Sequence, residues 1–334
     1  MTAESVLDPP TTSAAVISSR DDFRAAFDAV VANVGRVVKG KDSIIRMVLI
    51  AMLADGHVLL EDMPGTGKTM LARALSQSIN ARNARLQCTP DLLPSDVTGS
   101  PIYDQRTGEF AMREGPVFTN VLLLDEVNRA TPKTQSALLE AMQERRVSVN
   151  NQTYPLPKPF LVLATQNPIE LAGTFPLPEA QLDRFLLKLS VGYPDPEHED
   201  EILLANSKGE AIMRLGPVVD LEIVVGMMEW ASEVSVTPPV RRYMIDVCNQ
   251  TRSEPSLAIG ASTRATLALL RASRVAAASQ GRENVLPDDV KPLIRPVLGH
   301  RLVLSPEAIL RGETVDAVID RIVARVKLGA DFSG

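Results

Sequence analysis

Apolar positions along the chain fall into two regimes. Between residues 21 and 54 they recur at helical intervals. Phe23, Phe27, Val30, Val31 and Val34 mark a helix over 21–38, and a second is expected over 42–54. Five short runs then follow, alternating with helical stretches: His57–Glu61 (HVLLE), Ala84–Cys88 (ARLQC), Val121–Asp125 (VLLLD), Phe160–Thr165 (FLVLAT) and Phe185–Val191 (FLLKLSV). Runs without polar alternation read as strands buried on both faces, the pattern of a parallel sheet covered by helices. Two segments read as inserted hairpins. One is Ser100–Arg113 with a Thr107-Gly108 turn, and the other Arg146–Leu156 with an Asn150-Asn151 turn. The stretch Gly192–Glu201 (GYPDPEHEDE) reads as a linker entering a helix. Beyond it every pattern is helical, over about 197–207, 220–234, 239–252, 262–280, 287–293 and 315–327, with no convincing strand. The fold class is therefore α/β, a parallel sheet covered by helices, followed by an α-helical domain. The expected division is a flexible tail rich in Ser, Thr, Ala and Pro over 1–20, an α/β domain over 21–193 and a helical domain over 194–334.

Length and composition fit that division. A chain of 334 residues suits two domains, and with 45% hydrophobic but only 4% aromatic residues the cores must be aliphatic. The net charge of −6 argues against a surface that wraps nucleic acid unaided. Cys88 and Cys248 have neither paired nor metal-ligand spacing, and His57, His198 and His300 complete no zinc set. Free thiols fit a reducing cytosol, so a cytoplasmic location is expected. The first twenty residues lack the pattern of a signal peptide, and the longest apolar run, near Met47–Ala54, is too short to span a bilayer. No membrane insertion is expected.

The chemistry lies at the ends of the apolar runs, where open α/β sheets bind ligands. After the first run the chain reads Glu61-Asp62-Met63-Pro64-Gly65-Thr66-Gly67-Lys68-Thr69 and opens a helix at Met70. A phosphate chain needs unencumbered backbone N–H groups, a helix N-terminus, a lysine for the β/γ oxygens and a hydroxyl for Mg²⁺. Gly65 and Gly67, Lys68 and Thr69 supply these, so Pro64–Met70 is the expected ATP-binding segment. Asp62 stands where the full motif has glycine and must face away from phosphate. The run Val121–Asp125 ends in Asp125 and Glu126, two carboxylates that demand cations or a catalytic use. Asp125 fits the Mg²⁺ partner of Thr69, and Glu126 fits the general base. Asn167, after the fourth run, could hold the attacking water or the γ-phosphate; a turn residue before Pro168 is the weaker alternative. Arg184 precedes the fifth run. Arg264 falls in the first turn of a helix capped by Ser262, where a cation opposes the helix dipole unless an anion, with ATP the obvious candidate, sits nearby. Either arginine alone could be a surface ion pair.

With these residues in place, the chain resembles the MoxR family of bacterial AAA+ ATPases from about Val37 to Val326. The stretches Thr89–Gly99 (TPDLLPSDVTG), Asp125–Glu144 (DEVNRATPKTQSALLEAMQE), Ala164–Pro168 (ATQNP) and Glu179–Phe185 (EAQLDRF) carry the resemblance. It implies a P-loop NTPase (AAA+) sheet with an α-helical lid, and MgATP as ligand. Lys68 and Thr69 would belong to Walker A, Asp125 and Glu126 to Walker B. Asn167 would be sensor 1, Arg264 sensor 2 beside the chain's own nucleotide, and Arg184 an arginine finger reaching the neighbouring subunit. Val37 and Val38, ahead of Gly40, would line an adenine pocket. The hairpins at about 100–113 and 146–156 would be the helix-2 and presensor-1 inserts. Such proteins form homo-oligomers, typically hexameric rings, and act as chaperone-like remodellers on protein clients, commonly with von Willebrand factor A domains.

Three functions compete: a remodeller of proteins, a nucleic-acid motor related to helicases, and a nucleotide-gated scaffold with little turnover. Glu126 and Arg184 speak against a scaffold. A hairpin that grips nucleic acid needs basic residues at its tip and aromatics to stack on bases. The second hairpin instead turns on Asn150-Asn151 beside Gln152, with Arg145 and Arg146 only at its base, and the first balances Arg106 and Tyr103 with Asp104 and Glu109. No nucleic-acid partner is expected. Neither single- nor double-stranded DNA should raise the ATPase rate at physiological salt; a several-fold stimulation in a coupled ATPase assay would promote the motor.

Overall fold

The five apolar runs assemble into one parallel sheet, though not in chain order. The computed structural model describes residues 17–61, 63, 65–106, 108–150, 152–167, 173–207 and 215–327. The α/β part runs α1 (Arg20–Gly35), α2 (Asp42–Leu53), β1 (Val58–Glu61), α3 (Lys68–Ser78), β2 (Asn83–Gln87), α4 (Pro94–Thr98), β3 (Gly99–Asp104), β4 (Glu109–Glu114), β5 (Val121–Asp125), α5 (Pro132–Glu144), β6 (Arg146–Val149), β7 (Gln152–Pro155), β8 (Leu161–Gln166), α6 (Glu179–Leu182) and β9 (Leu187–Leu189). The sheet order is β2-β5-β8-β1-β9, and each of its pairings is parallel. The helical part follows as α7 (Pro196–Ser207), α8 (Leu221–Glu233), α9 (Pro238–Ser253), β10 (Leu257–Ile259), α10 (Thr263–Ser279), α11 (Pro287–Leu298), β11 (Val303–Leu304), α12 (Pro306–Leu310) and α13 (Val315–Arg325).

Side chains two apart along a strand share a face, and here the two faces feed two cores. Val58, Leu60, Val121, Leu123, Leu161 and Leu163 pack with α1, α2, α3 and the helical domain. Leu59, Leu122, Leu124, Val162 and Ala164 pack on the other side with Leu138, Leu139 and Met142 of α5. The helical domain thus shares a continuous core with one face of the sheet. Arg301 clamps the junction. Its side chain is almost fully buried, its Nε donates to Asp183 Oδ1 at 2.7 Å, and its terminal nitrogens donate to the carbonyls of Phe185, Leu186 and Val297.

Several expectations need correction. The run Ala84–Cys88 is not buried on both faces: β2 is the sheet edge, and Asn83, Arg85 and Gln87 are exposed. The helical domain does contain strands, the short antiparallel pair β10–β11. Helix α11 runs on to Leu298 through Pro292 and Pro296. An interior proline costs about 3 kcal/mol, but burial of Val290, Leu293, Ile294, Val297 and Leu298 on one stripe offsets it. Helix α5 fills one of the helical stretches expected between the runs, and Pro132 at its first turn and buried Leu138, Leu139 and Met142 specify it. The fifth strand shrinks to Leu187–Leu189. Of the expected tail, Ile17 packs against the core, Ser19 caps α1 by accepting from the Asp22 amide, and Arg20 opens that helix; residues 1–16 lie outside the described residues. Both hairpins form, as β3–β4 and β6–β7. Of their expected turns, Gly108 and Asn150 are described, while Thr107 and Asn151 lie outside the described residues.

Two histidines are sealed into this framework. His57 accepts from the Val162 amide at Nδ1 (3.0 Å), so its Nε2 carries the proton and donates to Met142 O (3.0 Å). His300 sits 3.1 Å from Phe185 O through Nε2. Burial, reinforced by Arg145 beside His57 and Arg301 beside His300, holds both well below the usual imidazole range. Both are neutral when folded and protonate freely near pH 6.5 when unfolded. The unfolded chain therefore binds more protons below that pH. The stabilisation is complete above about pH 6.5 and is lost as pH falls toward the folded values, by up to about 1.4 kcal/mol per pH unit for each histidine. Urea unfolding between pH 7.5 and 5 should show this slope, with His57→Gln reducing it by one proton; a flat profile would contradict it.

Candidate functional site

Strand β1 and helix α3 are joined by the glycine-rich loop. Gly65 and Gly67 adopt φ of +83° and +86°. An added Cβ would meet nothing within 4 Å at either, so the requirement is for left-handed backbone rather than space. Gly67 is the N-cap of α3 and offers no side-chain cap, which leaves first-turn N–H groups available to an anion. Lys68 Nζ folds back to donate to Met63 O at 2.8 Å, and the buried Thr66 hydroxyl lies 3.4 Å from the same carbonyl. Asp62 and Pro64 lie outside the described residues.

The loop forms one wall of a cleft of about 370 Å³, with Gly65, Thr66, Gly67, Lys68, Thr69 and Met70 on one side and Asp125, Glu126, Thr165, Gln166 and Asn167 on the other. Asp125 ends β5, a strand buried throughout. Its main-chain oxygen accepts from the Cys88 amide (2.9 Å), and its carboxylate lies 3.4 Å from the Thr165 hydroxyl. Glu126 turns the chain out of the strand with φ +56°, left-handed backbone that costs a non-glycine residue roughly 1–2 kcal/mol. Its amide donates to Thr165 Oγ1 at 2.8 Å, which helps hold that conformation. Burial first, then the charges of Asp125 and Glu126, push the Cys88 thiol up to about 12, so this neighbour is an inert filler.

Two residues absent from the sequence-based set reach into the cleft from β2. Arg85 Nε donates to Asp125 Oδ2 at 2.6 Å, and Gln87 Nε2 to Glu126 Oε2 at 3.0 Å. Arg129 adds a contact to Glu126 at 3.3 Å. The available signal was the polar pair at positions 85 and 87, an alternation that an apolar-run reading passes over.

Arg184 and Arg264 do not join this cleft. They line a second one, of about 210 Å³, between the start of β1, the end of α5 and the helical domain. Five arginines (Arg145, Arg184, Arg264, Arg271, Arg301) share its wall with two aspartates, Asp55 and Asp183. Arg145 is anchored to Asp55 through the carboxylate at 2.9 Å and the carbonyl at 2.6 Å. Burial pulls Arg145, Arg271 and Arg301 below the ordinary guanidinium range. Arg184 keeps a buried Nε without a hydrogen-bond partner. Arg264 therefore lines the arginine cleft and is not among the residues lining the P-loop cleft. Ser262 does cap α10, but it also donates to Asp183, and the anion facing Arg264 is Asp183 at 3.7 Å. Val37, Val38 and Gly40 do not line the P-loop cleft either. Val38 is buried in the core, with Val37 packed against it. Gly40 (φ +66°) lies against His198 at the start of α7, where a Cβ would come within 2.7 Å of the ring.

A glycine-rich loop opening a helix, opposite a strand ending in two acids, on a parallel sheet with a helical lid defines a P-loop nucleotide-binding protein of the AAA class. Residues 57–187 match the ATPase family associated with various cellular activities (AAA), and 249–322 match the AAA lid domain. The chain is 42% identical to Chaperone MoxR1 of Mycobacterium tuberculosis over 88% of this chain and 80% of that one. It is 34% identical to Protein MoxR of Paracoccus denitrificans over 94% and 99%. It is 45% identical to the uncharacterised YeaC of Bacillus subtilis over 92% and 97%. A crystal structure of a candidate ATPase from Cytophaga hutchinsonii superposes with a TM-score of 0.87 at 39% identity, covering 92% of this chain and 96% of that one. The chain belongs to the MoxR family of AAA+ ATPases. No helix among the described residues is long and apolar enough to cross a membrane.

Lys68 is the one cation the P-loop segment supplies to the cleft. Lys68→Ala should abolish useful ATP affinity, read by calorimetry or a fluorescent analogue; near-normal binding would detach the P-loop from nucleotide.

Proposed function

We propose that the chain binds and hydrolyses MgATP as a cytoplasmic, chaperone-like AAA+ motor acting on protein, in a ring whose active sites are completed between subunits. The observation that carries this is the division of the chemistry between two clefts. The P-loop cleft holds Lys68, Thr69, Asp125, Glu126 and Asn167, while Arg184 and Arg264 lie together elsewhere with a surplus of positive charge.

In the first cleft the α3 N-terminus and Lys68 bind the phosphate chain. The fit to Mg²⁺ rests on Asp125, a largely buried carboxylate already answered by a guanidinium, with the Thr69 hydroxyl across the cleft. Asp125 and the Thr69 hydroxyl would hold the ion, which would neutralise charge on the phosphate chain. Glu126, aimed by its left-handed backbone, takes the proton of the attacking water, and Asn167 orients that water or the γ-phosphate. The second cleft suits the departing γ-phosphate of a neighbour's nucleotide, with Arg184 as finger and Arg264 beside it. An arginine supplied from another subunit is worth about 10³–10⁵ in rate in other phosphoryl-transfer enzymes.

For the client, hairpin β3–β4 exposes Ile102, Tyr103 and Phe110, with the two rings 5.2 Å apart. This apolar surface suits a protein partner, and the family resemblance points to one with a von Willebrand factor A domain. A hexamer is the ring that the same resemblance supports. The aromatic pair would favour the nucleic-acid motor, against the acidic chain and the uncharged turn of the second hairpin.

Glu126→Gln should bind MgATP about as well as wild type and hydrolyse it roughly a hundredfold more slowly. Arg184→Ala should be nearly inactive alone. Mixed rings pair the intact Glu126 of one variant with the intact Arg184 of the other, so activity should partly return. Subunit exchange is checked by native mass spectrometry. If mixed rings form without recovery, or Arg184→Ala monomers hydrolyse ATP normally, the shared site is wrong.

A further inference from the structure

Strand β2 is the edge of the sheet beside β5, with Arg85 opposite Leu123 and Gln87 opposite Asp125. Its side chains at 85 and 87 are exposed, and both turn to the carboxylates at the end of β5. Arg85 reaches Asp125 at 2.6 Å, with 58% of its own side chain exposed against 12% for Asp125. The carboxylate assigned above to Mg²⁺ is therefore already held by a cation. That cation sits on a flexible stem open to solvent, so it can leave at small cost.

We propose that Arg85 is a resident counter-ion for Asp125, a positioning residue that yields the carboxylate when Mg²⁺ arrives and so sets how strongly nucleotide binding depends on the metal. The inference rests on Asp125 as the metal carboxylate. Two opposed effects follow from charge alone. Metal-free ATP brings four negative charges toward Asp125 and Glu126, and Arg85 lessens the repulsion. Mg²⁺ must compete with Arg85 for the same oxygens, and Arg85 weakens its binding. Removing the guanidinium should therefore weaken metal-free ATP and tighten Mg²⁺, each by roughly two- to fivefold, the range of an exposed ion pair. A residue that merely supported the strand would weaken both together.

The test measures a fluorescent ATP analogue binding to the full chain in excess EDTA, then titrates Mg²⁺ at fixed nucleotide. Wild type, Arg85→Ala and Arg85→Lys are compared, with thermal unfolding as the control for folding. In Arg85→Ala the ratio of Mg²⁺-supported to metal-free affinity should widen by roughly tenfold, while Arg85→Lys, which keeps the charge, should stay within about twofold of wild type. A ratio in Arg85→Ala within twofold of wild type, or parallel weakening of both, overturns the proposal. If Arg85→Ala does not fold, Arg85→Gln is judged by the same criterion. Wild-type protein that binds no nucleotide under either condition would overturn the ATPase reading as well; a wild type that binds while the variant ratio stays normal overturns this inference alone.

Discussion

A carboxylate at the end of a dry strand has to be answered. Strand β5 is buried along its whole length and delivers Asp125 and Glu126 to the carboxyl edge of the sheet. Burying such charge unpaired would cost several kcal/mol. The surroundings of that edge read as answers to this cost. Arg85 and Gln87 come from the neighbouring strand, the Thr165 hydroxyl from the strand on the other side, and Arg129 from the turn that follows. The glycine loop adds amides and Lys68 on the facing wall. A site poised for a metal-bound polyanion is thus also a site in which the protein partly neutralises itself.

The helical domain solves a second problem of the same kind. Its core is continuous with one face of the sheet, so hydrophobic burial supplies adhesion but little directional preference. The direction comes from Arg301, whose guanidinium is spent on Asp183 and on the carbonyls around the start of β9. Asp183 then has an oxygen left for Ser262 and Arg264 at the head of α10. One buried ion pair therefore sets where α10 begins, and with it where Arg264, Arg271 and the rest of that helix face point.

What could be read in advance follows from the range of the interactions. The VLLLD run matched β5 to the residue because burial on both faces leaves an unmistakable local pattern. The phosphate loop was equally plain, since its chemistry is contiguous. The run Ala84–Cys88 reads as a strand buried on both faces, so the exposed Arg85 and Gln87 of this edge strand escape it. The left-handed turn at Glu126 has no sequence mark, glutamate being an ordinary residue there. Helix α11 outran its prolines because the buried stripe was stronger than the local preference. The position of Arg264 is not legible locally because it depends on how α10 packs on α1 and α2, a contact between segments more than 200 residues apart in sequence. Its neighbour Asp183 lay in a motif already quoted, but nothing local joins the two.

The arginine cleft carries the last step. Five guanidiniums against two carboxylates leave that cleft with a surplus of positive charge. Arg145 and Arg301 are accounted for, each tied to carbonyls and an aspartate behind it. They form a rigid positive floor, and a rigid floor lowers the cost of ordering whatever sits above it. Arg184 keeps an unsatisfied buried Nε at that surface, and Arg264 reaches its aspartate only at 3.7 Å. Both are therefore underused by the chain that carries them. The P-loop cleft has no such surplus: Lys68 and Arg85 stand against Asp125 and Glu126, and a polyphosphate would add further negative charge. One chain cannot close the two on each other, because the sheet stands between the carboxyl ends of its strands and the start of β1. The proposed ring would bring the arginine cleft of one copy to the P-loop cleft of the next.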